Sequence, residues 1–417
     1  MSPVQRRLVP LVAAFFFGGV ALWVPIEKLF LAEIGFTPQS IGVMAAAYAA
    51  VVPMLEIPSG LLADRWSRRG VLVIGNVGAF LSVLVGGLST NVASYIAAAV
   101  LLGVYFAMQS GTFDAIVYDT VLEETGSSDR FESIVGRVRM AESASLVLGA
   151  LAGGLLAAAT APRVTYFVTL PFLVLSTMCL LAFREPRLHE AGERRSLRDH
   201  VGVTFGTLRR DRRLLPIAAL VILTSLLTQA VFEFGPLWLV DAGSGAAAFG
   251  PAWAGLMASL GLGGVLAGRV RFESPVALGT VVALLVGASL TLLLGRHAVL
   301  VTAAQVLLVM LAVAVGIYLT RLLHDAVSSD VRSGVASGIS AATWLTFLPF
   351  ALGFGSVSER WGIHAAGLAP VGVVAAIAGL LVVVAAAAGR RGPAVAWANA
   401  VDAIDVDADF AHERAAA

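Results

Sequence analysis

The chain has 417 residues, 58% of them hydrophobic and 13% charged, with a formal net charge of +1 and a mean hydropathy of +0.88. Water-soluble domains are roughly 45–50% apolar and about 25% charged, so a core surrounded by water is excluded and the solvent is lipid. The single cysteine, Cys179, lies in an apolar run, which excludes an internal disulfide and a thiolate metal site.

Hydrocarbon about 30 Å thick takes roughly 20 helical residues to cross. Apolar runs of that length predict helices over 8–30, 40–63, 70–89, 92–120, 133–159, 163–183, 214–240, 250–269, 275–295, 298–324, 333–357 and 363–388. The first run continues into "WVPIEKLFL" with no small-residue cleavage site, which reads as a retained helix and not a removed signal peptide. Backbone groups in lipid have to be paired within the segment, so an all-α integral membrane protein with twelve transmembrane helices is expected.

Basic residues orient the helices. On one side lie Arg6, Arg7, Arg65, Arg68, Arg69, Arg130 and Arg137, the nine arginines between Arg184 and Arg213, and Arg269, Arg271, Arg332, Arg390 and Arg391. The other side has Lys28, Arg163, Arg296 and Arg360. The positive-inside rule puts both termini in the cytoplasm and the chain in the cell inner membrane as a multi-pass protein. The long basic connection divides it into a six-helix bundle over 1–190, a linker over 191–213 and a second bundle over 214–389. Within the linker, Leu197, Val201, Phe205 and Leu208 form an apolar stripe flanked by arginines. It reads equally as an interfacial helix against anionic lipid or as a solvated charged segment. The acidic tail over 390–417 has the composition of a disordered segment.

The halves repeat. "GLLADR" at Gly60–Arg65 returns as "GVLAGR" at Gly264–Arg269, an offset of 204. Asp119 and Asp325 are 206 apart, as are Glu27 and Glu233. Such spacing predicts two parallel, pseudo-symmetric six-helix bundles related by an axis along the membrane normal.

The connection "GLLADRWSRRG" resembles the signature loop between helices 2 and 3 of the major facilitator superfamily: Gly60, Leu62, Ala63, Asp64, Arg65, Arg68 and Arg69 match, and Ser67 stands where glycine is usual. "EIPSG" at Glu56–Gly60 and "FDAIVYD" at Phe113–Asp119 resemble bacterial drug and metabolite efflux carriers of that superfamily. The resemblance implies a secondary transporter working by alternating access. It also implies a latch of Gly60, Asp64, Arg65, Arg68 and Asp119 that, with the start of helix 11 near Ser333, clamps the halves when the carrier faces out. The residue types suit that role: Asp64 and Arg68 stand four apart on one helix face, a guanidinium serves two carboxylates at once, and Gly60 allows close helix approach.

Helix 5 reads "SLVLGALAGG". Gly149, Gly153 and Gly154 match part of an exporter motif, with Ser145 and Ala150 replacing its first glycine and its proline. The same small residues make a packing seam whatever the direction of transport. The arginine expected in the middle of an exporter's helix 4 is absent, and Gln109 is the strongly polar group there.

Ionisable groups inside spans are costly and read as functional. Glu56 and Glu142 are the better candidates for proton coupling and Asp114 the third, each weighed against a plain ion pair such as one to Arg139. Glu27 and Glu233, at the same repeat position, are candidate cavity residues that would attract cations, since helices 1 and 7 line the cavity in the superfamily. Against that, Glu27 can pair with Lys28 and Glu233 can sit in the aromatic belt. No serine–histidine–carboxylate, metal-ligand or phosphate-cradling arrangement occurs, so an enzyme is not expected. The expected function is export of a small amphipathic compound, such as an antibiotic or metabolite, in exchange for protons. Alternatives are proton-driven uptake of a nutrient and a carrier-like scaffold without transport. No cofactor, metal or nucleic acid is expected; the partners are substrate, protons and lipid, and the chain is expected to be a monomer.

Overall fold

Helices begin where the sequence supplies partners for their first amides. Thr37 and Ser40 close a capping box, and Ser67 accepts from Gly70 N at 2.8 Å. Prolines, which lack the hydrogen that a first turn leaves unused, stand at the starts Pro38, Pro162, Pro236 and Pro275. The computed structural model describes residues 3–109, 112–126, 131–186, 214–270, 274–325 and 329–389, with Phe272 and Val327.

The first half runs α1 (Pro3–Gly19), a 3-10 turn (Val24–Ile26), α2 (Glu27–Glu33), α3 (Pro38–Arg65), α4 (Arg68–Leu88), α5 (Val92–Gln109), α6 (Thr112–Thr125), α7 (Phe131–Ala159) and α8 (Pro162–Ala182). The second runs α9 (Leu214–Phe234), α10 (Pro236–Asp241), α11 (Ala246–Ala267), α12 (Pro275–Leu294), α13 (Ala298–Asp325), α14 (Ser329–Ala366) and α15 (Leu368–Gly389). Among the described residues, eleven segments are long and apolar enough to cross a membrane, and Leu368–Val382 is a shorter apolar helix.

Of the run 92–120, helix is described over Val92–Gln109 and again from Thr112. Two predicted helices carry local irregularities. The first crossing is α1 and α2 joined by non-helical backbone after Gly19. In the seventh, Gly235 precedes Pro236, and the Gly235 carbonyl accepts from Gln305 Nε2 at 3.0 Å as well as from Trp238 N at 3.2 Å. The predicted gap between helices 11 and 12 is shorter than expected: helical residues continue to Ala366 across a single positive-φ residue, Gly362 (84°). The linker and tail lie outside the described residues, apart from the linker-flanking Phe183–Pro186.

The bundle has an arginine end, where Arg7, Arg68 and Arg184 gather, and an opposite far end around residues 20–37 and 235–246. The halves pack along two helix pairs, α3 with α14 and α7 with α11. Near the far end the backbones nearly touch. A methyl group on Gly154 would stand 2.8 Å from Gly250 N, and one on Gly42 would stand 2.5 Å from Ala351 O. Glycine is required at both crossings, and the far end is thereby shut.

Candidate functional site

At the arginine end, Arg68 forms an ion pair with Asp119 within the first half. A further carboxylate contact there was not expected from sequence. Glu185, just past α8, accepts from Ser67 Oγ at 2.5 Å, Arg68 N at 2.6 Å and Arg69 N at 3.3 Å. A carboxylate thus caps the first amides of α4, where the helix dipole favours negative charge. Arg69 Nη1 donates to Phe183 O at 3.0 Å, and Arg7 reaches Glu123 at 2.9 Å and Glu124 at 2.6 Å. The signature loop is therefore tied to the ends of helices 1, 4 and 6 of its own half. Gly60 and Arg65 lie on the last turns of α3, with open space beside Gly60. The side chains of Asp64 and Ser333 lie outside the described residues.

Between the middle and the arginine side lies a cavity of about 380 Å³, lined by Ser225, Gln229, Ser340, Thr343, Trp344 and Phe347 and reaching Thr320 and Leu323. Hydroxyls and one amide alternate there with aromatic faces, an amphipathic lining. Glu56 borders it, with Ser340 Oγ 3.5 Å from its Oε1. Glu142 accepts from Arg139 Nη1 at 3.1 Å, and the Arg139 guanidinium lies 4.4 Å from the Phe113 ring centroid. Gln109 hydrogen-bonds the Tyr105 hydroxyl. The Asp114 side chain lies outside the described residues.

At the far end the structure corrects the reading of Glu27 and Glu233 as open cavity carboxylates. Lys28, only 3% exposed, donates to Glu27 Oε2 at 2.6 Å and to Glu233 Oε1 at 2.5 Å. Tyr48 donates to Glu233 Oε2 at 2.8 Å and accepts from Gln229 Nε2 at 3.0 Å. Tyr95 donates to Glu27 at 2.9 Å and meets the Tyr166 hydroxyl at 2.7 Å. Both carboxylates share one ammonium before any ligand arrives. Burying an ion is expensive unless it is paired, and here the pairing joins the two halves. The pairing of Glu27 with Lys28 was one of the two sequence readings; the reach of Lys28 to Glu233, and the parts of Tyr48 and Gln229, were not expected from sequence.

The helix 5 glycines take packing positions. Methyl groups on Gly149 and Gly153 would lie 3.2 Å from Ala21 N and 2.1 Å from Leu22 O, against the break in helix 1, while Gly154 meets Gly250 of the other half.

Comparison with known proteins bears on this architecture. Residues 8–344 match the model of the Major Facilitator Superfamily. The chain belongs to that superfamily. Multidrug resistance protein 2 of Bacillus subtilis (strain 168) is 27% identical over 167 residues, covering 40% of this chain and 38% of that protein. The nucleoside transporter NupG superposes with a TM-score of 0.67 at 14% identity, covering 93% of this chain and 98% of that one. The D-xylose–proton symporter gives 0.64 at 14% identity over 89% and 96%. Likenesses this distant in sequence establish the fold. This facilitator is a multi-pass membrane transporter and not an enzyme, and no cluster of metal-ligating side chains occurs among its described residues.

Proposed function

We propose that this facilitator exports a small amphipathic compound in exchange for protons, with α15 as the twelfth crossing and both termini in the cytoplasm. The observation that carries the reading is the asymmetry of closure. The far end is shut by glycine contacts and by the Lys28 cluster, while the amphipathic cavity lies on the side of the arginine end, reaching Thr320 and Leu323. With that end in the cytoplasm of an inner-membrane protein, the state faces inward and is ready to load cargo from the cell. Glu56, beside Ser340 of the cavity, and Glu142 are the carboxylates through which substrate and proton compete, and Gln109 joins them in contacting substrate. Asp114 is the reserve candidate on α6. Arg68 and Asp119, together with Asp64, serve as the latch that closes the arginine end in the opposite state. The protein works as a monomer, and the proton gradient is its only energy source.

Export is supported by the partial match of helix 5 to an exporter motif and by the similarity to a protein named for multidrug resistance. The hydroxyl-rich side of the cavity (Ser225, Thr320, Ser340 and Thr343) favours a second reading, proton-driven uptake of a neutral hydroxylated solute.

Everted vesicles energised acid-inside decide between them. On the export reading, adding substrate dissipates the proton gradient as the compound enters the vesicle. Uptake in intact cells that an uncoupler abolishes, with no such dissipation, overturns export.

A further inference from the structure

The cluster at the far end contains two carboxylates and one ammonium, and the three differ in what they can leave. Glu27 is the chain neighbour of Lys28, so their contact can persist in every state of the transporter. Glu233 belongs to the other half and has to part from Lys28 whenever the far end opens. Every side-chain bond of the cluster that crosses between halves ends on Glu233 or on its partner Tyr48: Lys28 to Glu233, Tyr48 to Glu233, and Gln229 to Tyr48.

We propose that Glu233 is a proton-binding gate residue, which takes up a proton from the far side when the halves part there and gives it up when Lys28 closes onto it. This deepens the proton-exchange reading above and rests on its proton half alone, whatever the cargo or its direction.

The physical case rests on what each state offers the carboxylate. In the open far end, Glu233 has lost its ammonium and meets water on that side. In the closed state it is buried against Lys28, and two carboxylates share one positive charge. A proton on Glu233 then deprives the buried ammonium of one counter-ion and turns a charge-assisted bond across the halves into a weaker neutral one. Closure therefore expels the proton: the O–H bond of Glu233 breaks, the proton passes to water in the cavity, and the carboxylate left behind pairs with Lys28. The exit lies at hand, because Tyr48 bridges Glu233 to Gln229 and Gln229 lines the cavity on the arginine side.

The groups facing Glu233 among the described residues are few. Glu27 and Lys28 come from α2 and Tyr48 from α3, while Tyr95 of α5 and Tyr166 of α8 are reached through Glu27. From α14, Phe347 and Phe354 cover the neighbouring Phe234, and α13 gives Gln305 to Gly235. Arg163 lies farther out, over the ring of Phe30.

The test uses the full chain in lipid nanodiscs, with Cys179→Ser and spin labels at Gln39→Cys and Arg360→Cys on the far ends of α3 and α14. Pulsed electron resonance reads the open and closed populations against pH, with no substrate present. Lowering pH should raise the long-distance population of the otherwise unaltered protein. Glu233→Gln should raise the open-to-closed ratio at neutral pH roughly tenfold, as the loss of one charge-assisted bond implies, and abolish the pH response. Glu27→Gln should shift the ratio the other way, because Lys28 then belongs to Glu233 alone, and should keep the response. If Glu233→Gln fails to insert, Lys28→Gln reports the same loss of the closed state. Glu27→Gln and Glu233→Gln moving the ratio in the same direction, or a normal pH response in Glu233→Gln, overturns the assignment. Transport indifferent to a proton gradient, in a protein whose gate still answers to pH, overturns the exchange reading and leaves the gate standing. A gate blind to pH in a gradient-driven transporter overturns the gate.

Discussion

Lys28 and Glu233 are 205 residues apart and 2.5 Å from contact-forming atom to contact-forming atom, joining helix 1 of one bundle to helix 7 of the other. Replacing Lys28 by Met leaves two carboxylates buried together with no cation. Breaking a buried pair in this way costs about 3–5 kcal/mol, and the melting temperature in detergent should fall sharply at pH 7. Acidifying the buffer should return part of the loss, because neutral carboxyls are cheaper to bury. A melting temperature equal to that of the unaltered protein at both pH values would remove Lys28 from the far-end closure.

Gly154 faces Gly250 with no room for a side chain. Gly154→Leu forces α7 and α11 apart at the far end, a strain of about 1–3 kcal/mol. Transport should drop and a far-end cysteine should label faster with a membrane-impermeant maleimide. Normal transport and unchanged labelling would show that this crossing opens without consequence.

Arg68 and Asp119 form the described part of the signature-loop cluster. Asp119→Asn weakens a charge-assisted bond, and turnover should fall roughly tenfold or more while expression and insertion persist. Wild-type turnover in that variant would reduce the loop to a membrane anchor.

Glu185 caps α4 through two backbone amides and Ser67. Glu185→Ala should cost about 1 kcal/mol, the usual loss for a helix N-terminal cap, read as a modest fall in melting temperature with substrate affinity unchanged. A changed KM would mean that the cap also shapes the cavity.

Trp344 offers an aromatic face to the cavity beside Thr343. Trp344→Ala should raise KM up to about tenfold for aromatic cargo, the scale of a lost stacking contact, and leave kcat within about twofold for cargo without rings. An equal loss for every cargo would indicate a packing role against Tyr48 and Phe347.

The membrane helices were legible because a crossing in lipid demands a long apolar run, and that demand is written locally. The irregularities were not. Val20 and Ala21 are as apolar as the helices on either side of them, and a composition scan passes over such a break without a signal. The common repeat position of Glu27 and Glu233 was visible as an offset; that one lysine serves both was not, because hydropathy treats an ammonium near a helix end as an anchor and says nothing of a partner 205 residues away. Glu185 escaped for a related reason: in a stretch dense with arginines it reads as one more solvated charge, and only the approach of α8 to the start of α4 makes it a cap. Gly149 and Gly153 were read correctly as small, but what they admit is an irregular stretch of helix 1, which no small-residue pattern specifies.

That irregular stretch gives the far-end contact two unequal mechanical sides. Glu233 stands one residue before the end of a 21-residue helix, Leu214–Phe234, and moves only as that rod moves. Glu27 and Lys28 open a seven-residue helix, Glu27–Glu33, joined to α1 by non-helical backbone that Gly149 and Gly153 let α7 approach closely. The short piece can tilt about its joint while α1 holds still. It behaves as a sprung catch meeting a rigid frame, so the ion pair can re-form over a range of separations before the two bundles have finished turning.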